Sequence, residues 1–178
     1  MNITNEELKQ AVRNIPNFPI DGIQFKDVTT LFQDAERLKS VSENTYRLYQ
    51  DKGITKVVGI ESRGFILGSI IALKLNAGFI PVRKPGKLPA SVIEETYEKE
   101  YGKDTIQIHT DALCEDDIVL LHDDLLATGG TMAAAYRLVK KMGVKKVYVN
   151  FIIELEELQG RKCFPEDVQI ESLIKFPI

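Results

Sequence analysis

Two stretches of the chain follow the same order of elements, and that order limits the possible folds more than any other feature. Residues 56–60, KVVGI, make a buried strand; 64–76 then carries a helix closed by Gly78, and 79–83 makes the next strand. Further along, 117–124 is a second buried strand, 130–142 a helix stopped by Gly143, and 147–153 another strand. Strands joined by helices of about 12 residues favour a parallel sheet with helices on both faces. Ligands of such an α/β sheet sit at the carboxyl ends of its strands.

The flanking segments are less regular. Thr4 followed by Glu7 has the form of a capping box, and Leu8, Ala11, Val12 and Ile15 recur at helical spacing behind it. Pro16, Pro19 and Gly22 break that helix, and 22–27 reads as irregular chain. A second amphipathic helix starts near Asp34, carries Leu38, Val41, Thr45 and Leu48 on one face, and ends at Gly53. Between the two strand-helix-strand units, 84–110 departs from the pattern. RKPGKLP is a basic loop, and 91–99 and 104–110 read as two strands joined across Tyr101 and Gly102. This excursion is expected to be a flexible hairpin lid on a single domain spanning 1–178.

A chain of 178 residues buries roughly 70% of its unfolded surface, enough for one good core. Its net charge of −3 gives no global basic field to attract nucleic acid, so an anionic ligand needs a local basic cluster. Apolar runs are broken well short of a bilayer span, which argues against a membrane protein. The opening MNITNEELKQ lacks the apolar core of a signal peptide, so a cytoplasmic location is expected. Cys114 and Cys163 lack metal-ligand spacing and are expected to be structural thiols.

The most informative stretch is VLLHDDLLATGGT, residues 119–131. A strand there ends in Asp123 and Asp124, and a small hydroxyl- and glycine-bearing loop opens a helix. Residues Ala127, Thr128, Gly129, Gly130 and Thr131 can wrap a phosphate with backbone N–H groups and two hydroxyls at a helix N-terminus. Two carboxylates would repel a bare phosphate, so they suit vicinal hydroxyls or Mg²⁺. A ribose 5-phosphate unit satisfies both halves of the motif. Neither GK[ST] nor GxGxxG is present, which sets aside a Walker loop and a nicotinamide dinucleotide site.

HDDLLATGGT resembles the phosphoribosyl-pyrophosphate motif of the type I phosphoribosyltransferases. The likeness extends over nearly the whole chain, through FPIDGIQFKD, GIESRGF, RKPGKLP, EKEYGK and IIELEELQGRKCF, and several of these blocks point to the adenine branch of that family. The resemblance implies a Rossmann-like parallel sheet flanked by helices, with a β-hairpin lid. It also implies Mg²⁺-dependent transfer of phosphoribosyl from 5-phosphoribosyl 1-pyrophosphate (PRPP) to adenine, giving AMP and pyrophosphate in purine salvage, by a homodimer.

Carried over residue by residue, the resemblance gives the 5-phosphate to Ala127, Thr128, Gly129, Gly130 and Thr131, and the ribose hydroxyls to Asp123 and Asp124. It gives pyrophosphate to Glu61, Ser62, Arg63, Arg83, Lys84 and Lys87, which would supply the local basic cluster. Adenine would meet Gln24, Phe25 and Lys26, largely through backbone, and Leu155. Phe25 and Leu155 also fit an ordinary core. Glu100 would manage the purine proton and complete a catalytic set with Asp123 and Asp124, and Tyr101 would belong to the lid. Mg²⁺ would be held mainly by pyrophosphate oxygens and water. Lys26, Glu61 and His122 depart from the family pattern, and strand alternation puts His122 on the face opposite Asp123, as a core histidine.

Two rival functions fit the sequence less well. A ligand-sensing regulator with this fold would need a DNA-binding domain, and only about 15 to 20 residues precede the motifs. An enzyme for another base stays open, because no side chain reads the base unambiguously.

Overall fold

A computed structural model describes residues 3–98 and 102–177. Glu100 and Tyr101 lie outside the described residues.

The Thr4 hydroxyl accepts from the Glu7 N–H, and the Glu7 carboxylate accepts from the Thr4 N–H at 2.8 Å, starting α1 (Asn5–Ala11). The helix ends earlier than its apolar spacing suggests. Val12 is already extended, and Arg13–Pro16 forms β1, paired antiparallel with β2 (Gln24–Asp27) where irregular chain was expected. The ribbon is pinned by a fork from Arg13 to Asp27, with Nε at 3.0 Å from the carboxylate. A long-range pair of this kind outweighs local helical spacing.

A single turn, α2 (Thr29–Phe32), precedes α3 (Ala35–Tyr49). Asp34 caps α3 as expected, accepting from the Arg37 N–H at 2.9 Å. The first strand-helix-strand unit is β3 (Lys56–Ile60), α4 (Gly64–Lys74) and β4 (Gly78–Val82). The excursion is a true hairpin of β5 (Val92–Glu98) and β6 (Lys103–His109). The second unit follows as β7 (Ile118–Leu126), α5 (Gly130–Lys141) and β8 (Lys146–Leu155). Two 3₁₀ turns, Glu156–Leu158 and Gly160–Cys163, then lead to β9 (Gln169–Phe176), a strand the sequence pattern did not reveal.

The sheet has the order β4-β3-β7-β8-β9, and every pair in it is parallel. Alternate strand residues feed two cores. Val58, Val119, Leu121 and Val149 pack with Ala134 and Leu138 of α5 and with Ile106 and Ile108 of β6. Val57, Leu120 and Tyr148 pack with Leu31, Val41, Leu67 and Ile71 on the other face. Each fully buried aliphatic side chain contributes about 1.5–3 kcal/mol, so the central strands anchor the fold.

β7 passes the expected limit at 124 because Leu125 and Leu126 pair with Ile153 and Glu154 of β8. The acidic pair therefore lies within the strand. The hairpin arms are anchored to the body: Arg83 and Gln107 exchange backbone hydrogen bonds of 2.9 and 2.7 Å, and Glu95 holds Arg137 and Lys141 of α5. No helix among the described residues is long and apolar enough to cross a membrane.

Candidate active site

The carboxyl ends of β3, β4 and β7 converge on one region, as a parallel sheet requires. A cavity of about 220 Å³ there is bordered by Glu61, Lys84, Tyr97, Asp123 and Thr131. A second, of about 100 Å³, is bordered by Asp123 and by Ala127, Thr128, Gly129, Gly130 and Thr131. The two share Asp123 and Thr131, so the small-residue loop and the cationic loop face a common space.

Gly129 opens α5 with φ +84°, a left-handed conformation that favours glycine. The Thr131 hydroxyl meets the Tyr97 hydroxyl at 2.9 Å, bringing β5 against the helix start. With no acidic residue in the first turn of α5, backbone N–H groups and helix dipole suit an anion.

Alternation along β7 separates the acidic pair. Asp123 opens to both cavities, and its carboxylate accepts from the Asp124 N–H at 2.8 Å. Burial first, and then the neighbouring Asp124 charge, push its carboxyl well above the ordinary aspartate range. Asp124 is buried and receives the Arg63 Nε. Gly64 lets α4 approach β7 closely: a Cβ there would lie 2.8 Å from the His122 carbonyl oxygen.

Three of the four cations assigned to pyrophosphate are paired with carboxylates. Arg63 holds Asp124, Arg83 lies 3.2 Å from Glu61, and Lys84 holds Asp104. Lys87 has an exposed side chain, while its carbonyl accepts from Arg83. Glu61 also accepts from the Lys84 N–H at 2.9 Å. Burial works against its charge, but the Lys84 N–H and the Arg83 guanidinium outweigh that and hold its pKa below the usual glutamate range. The Glu61 carboxylate thus holds the Arg83 guanidinium and the Lys84 backbone at the end of β4. Ser62 is exposed and follows a cis peptide bond.

The Arg63 guanidinium also lies 5.9 Å from the Phe25 ring centre, and Phe25 packs edge-on to Phe18. Both Gln24 and Lys26 bond to Asn14, at 2.8 and 3.0 Å. Lys26 also stands 4.6 Å from the Phe176 ring, and Phe176 pairs in register with Leu155. These bonds tie the side chains of Gln24 and Lys26 to β1 across the ribbon. Asn14 and Asp104 carried no motif in the sequence, since their roles arise from pairing across strands.

His122 is fully buried on the α4 side, opposite Asp123, with Nδ1 2.9 Å from Asn150 Oδ1. The Asn150 amide nitrogen donates to the Glu171 carbonyl at 3.2 Å, which leaves its oxygen to accept from an Nδ1–H of the ring. Burial pushes its pKa down to about 4.

The phosphoribosyl transferase domain family matches residues 27–168. The adenine phosphoribosyltransferase of Bacteroides fragilis is 65% identical over 98% of this chain and 99% of its own. Among solved structures, adenine phosphoribosyltransferase from Rhodothermus marinus superposes with a TM-score of 0.91 at 50% identity, covering 97% of this chain and 98% of that one. The Giardia lamblia enzyme, solved with 9-deazaadenine, gives 0.93 at 42% identity over 98% of both chains. With the family model matching residues 27–168 and relatives of this identity agreeing over almost the whole length, the chain belongs to the phosphoribosyl transferase family, in its adenine phosphoribosyltransferase branch.

Proposed function

We infer that this protein transfers the phosphoribosyl group of PRPP to N9 of adenine, releasing pyrophosphate and forming AMP. One observation carries the geometry of this reading: the 127–131 cradle borders one cavity, Lys84 and the Arg83-bound Glu61 border the other, and Asp123 and Thr131 line both. That spacing suits a ligand with a phosphate at one end, a sugar in the middle and pyrophosphate at the other.

In the reaction the bond from the anomeric carbon to the pyrophosphate oxygen breaks and the bond to N9 forms. Adenine gives up its ring proton, which the resemblance assigns to Glu100. The transition state gathers positive charge on the sugar, as in glycoside chemistry. Asp123 holds the ribose hydroxyls beside that charge. Arg63, Arg83 and Lys84 exchange their carboxylate partners for the oxygens of the departing pyrophosphate. The β5–β6 hairpin, which borders the cavity through Tyr97 and Ile106, acts as the lid that excludes water.

Among the described residues no three His, Cys, Asp or Glu side chains are grouped to hold a metal ion. This donor set fits Mg²⁺ carried by the ligand's own oxygens, with Asp123 the carboxylate that would hold its water shell. When bound, Mg²⁺ supplies positive charge to the leaving pyrophosphate. The reading places the enzyme in the cytoplasm with its phosphorylated substrates.

We also propose a homodimer covering the outer face of α4, where Ile66 and Leu73 are 42% and 82% exposed beside the 61–63 loop. Sedimentation equilibrium reads this directly, and a monomer contradicts it. Base competition tests the substrate: adenine is expected to exceed hypoxanthine and guanine by about 100-fold or more in kcat/KM. Comparable turnover of a 6-oxopurine overturns the adenine assignment.

A further inference from the structure

The turn after β8 locks into the phosphate loop. A Cβ on Gly160 would collide with the Ala127 carbonyl oxygen and stand 2.8 Å from Leu126 Cδ1 and 3.1 Å from the Gly129 nitrogen. Reciprocally, a Cβ on Gly129 would collide with the Gly160 carbonyl oxygen and stand 3.0 Å from its carbon. Most of these atoms are backbone and cannot step aside.

On its other side the same turn is fastened to the sheet. Arg161 forks onto Glu154, with Nε at 2.6 Å and Nη2 at 2.7 Å, while Nη1 donates to the Ile170 carbonyl at 2.9 Å. Glu154 is 4% exposed, at the end of β8. The Cys163 thiol donates to the Thr128 carbonyl at 3.1 Å, a second tie between turn and loop. Planar bidentate geometry fixes direction as well as distance, so the residue next to Arg161 is held in place.

We propose that Arg161 and Glu154 are positioning residues for the 5-phosphate cradle, their fork holding Gly160 against Ala127 and Gly129 so that the loop is shaped before the ligand arrives. Neither side chain lines the cavity beside residues 127–131. The inference rests on the phosphoribosyl reading of the loop. A cradle whose donors drift by a fraction of an ångström binds phosphate less well, because each N–H must point at an oxygen.

The test combines steady-state kinetics with calorimetric titration of ribose 5-phosphate, for wild type, Arg161→Met, Arg161→Lys and Glu154→Gln. In Arg161→Met, KM for PRPP and Kd for ribose 5-phosphate are expected to rise about tenfold, with KM for adenine within about twofold of wild type. Arg161→Lys keeps the charge but loses the fork, so it is expected to show the same selective defect at about threefold or more, and it decides the matter if the methionine variant does not fold. A folded variant with unchanged ribose 5-phosphate affinity overturns the proposal. So does one in which both KM values and kcat shift together. Failure of the wild type to bind ribose 5-phosphate or form AMP would instead bring down the functional reading beneath it.

Discussion

Arg63 closes its guanidinium on the Asp124 carboxylate, joining the end of β3 to the end of β7, while it rests against the Phe25 ring. One side chain therefore joins the three segments to which the proposed reaction gives pyrophosphate, ribose and base. Arg63→Ala is expected to raise KM for PRPP about tenfold and to lower kcat/KM about 10²-fold, because a cation for the departing charge is lost. Unchanged kinetics would remove Arg63 from the site.

Asp123 faces both cavities with a raised pKa, so it loses its charge as pH falls through that raised value. A neutral carboxyl is a poorer acceptor for ribose hydroxyls. KM for PRPP in wild type should therefore climb toward acid, and Asp123→Asn should start about tenfold higher and lack that limb. The pH profile of KM in the two proteins checks this. Identical profiles contradict the assignment.

Between the unfolded value of 6.5 and the folded value of about 4, unfolded chain takes up a proton that buried His122 refuses. His122 thus contributes stability that is present above pH 6.5 and lost as pH falls toward 4. Wild type should lose about 2 kcal/mol more than His122→Leu between about pH 7 and about pH 5. Asp123 works in the opposite direction in both proteins, so the difference isolates the histidine. Parallel urea-denaturation curves across that range would contradict a neutral buried ring.

Glu100→Ala should lower the single-turnover rate of AMP formation about 10²-fold, with little change in PRPP binding. Rapid quench with labelled adenine separates chemistry from product release. Equal single-turnover rates would strip Glu100 of its catalytic role.

The central strands and the loop that opens α5 were legible because their information is local: VVGI and IVLL are apolar runs, and ATGGT is a small-residue turn at a helix start. What stayed hidden depends on distant pairing. Pro16, Pro19 and Gly22 read as breakers, yet Arg13 and Asp27 join across them into a ribbon. In β9, QIESLIKF carries Glu171 and Lys175 on an edge strand, so it lacks the continuous apolar run of its neighbours. Gly160 carries no local sign that it touches Gly129. The bonds that the Glu61 carboxylate accepts from the Arg83 guanidinium and the Lys84 N–H were hidden for the same reason, since they join separate strand ends.

The most direct measurement is phosphorus NMR of the purified protein with adenine, PRPP and Mg²⁺, followed as the signals change. The account expects PRPP to vanish while AMP and pyrophosphate appear in equal amounts, and expects the conversion to stop when EDTA removes the metal. Persistence of PRPP with adenine present, or its breakdown to ribose 5-phosphate and pyrophosphate without AMP, would contradict it.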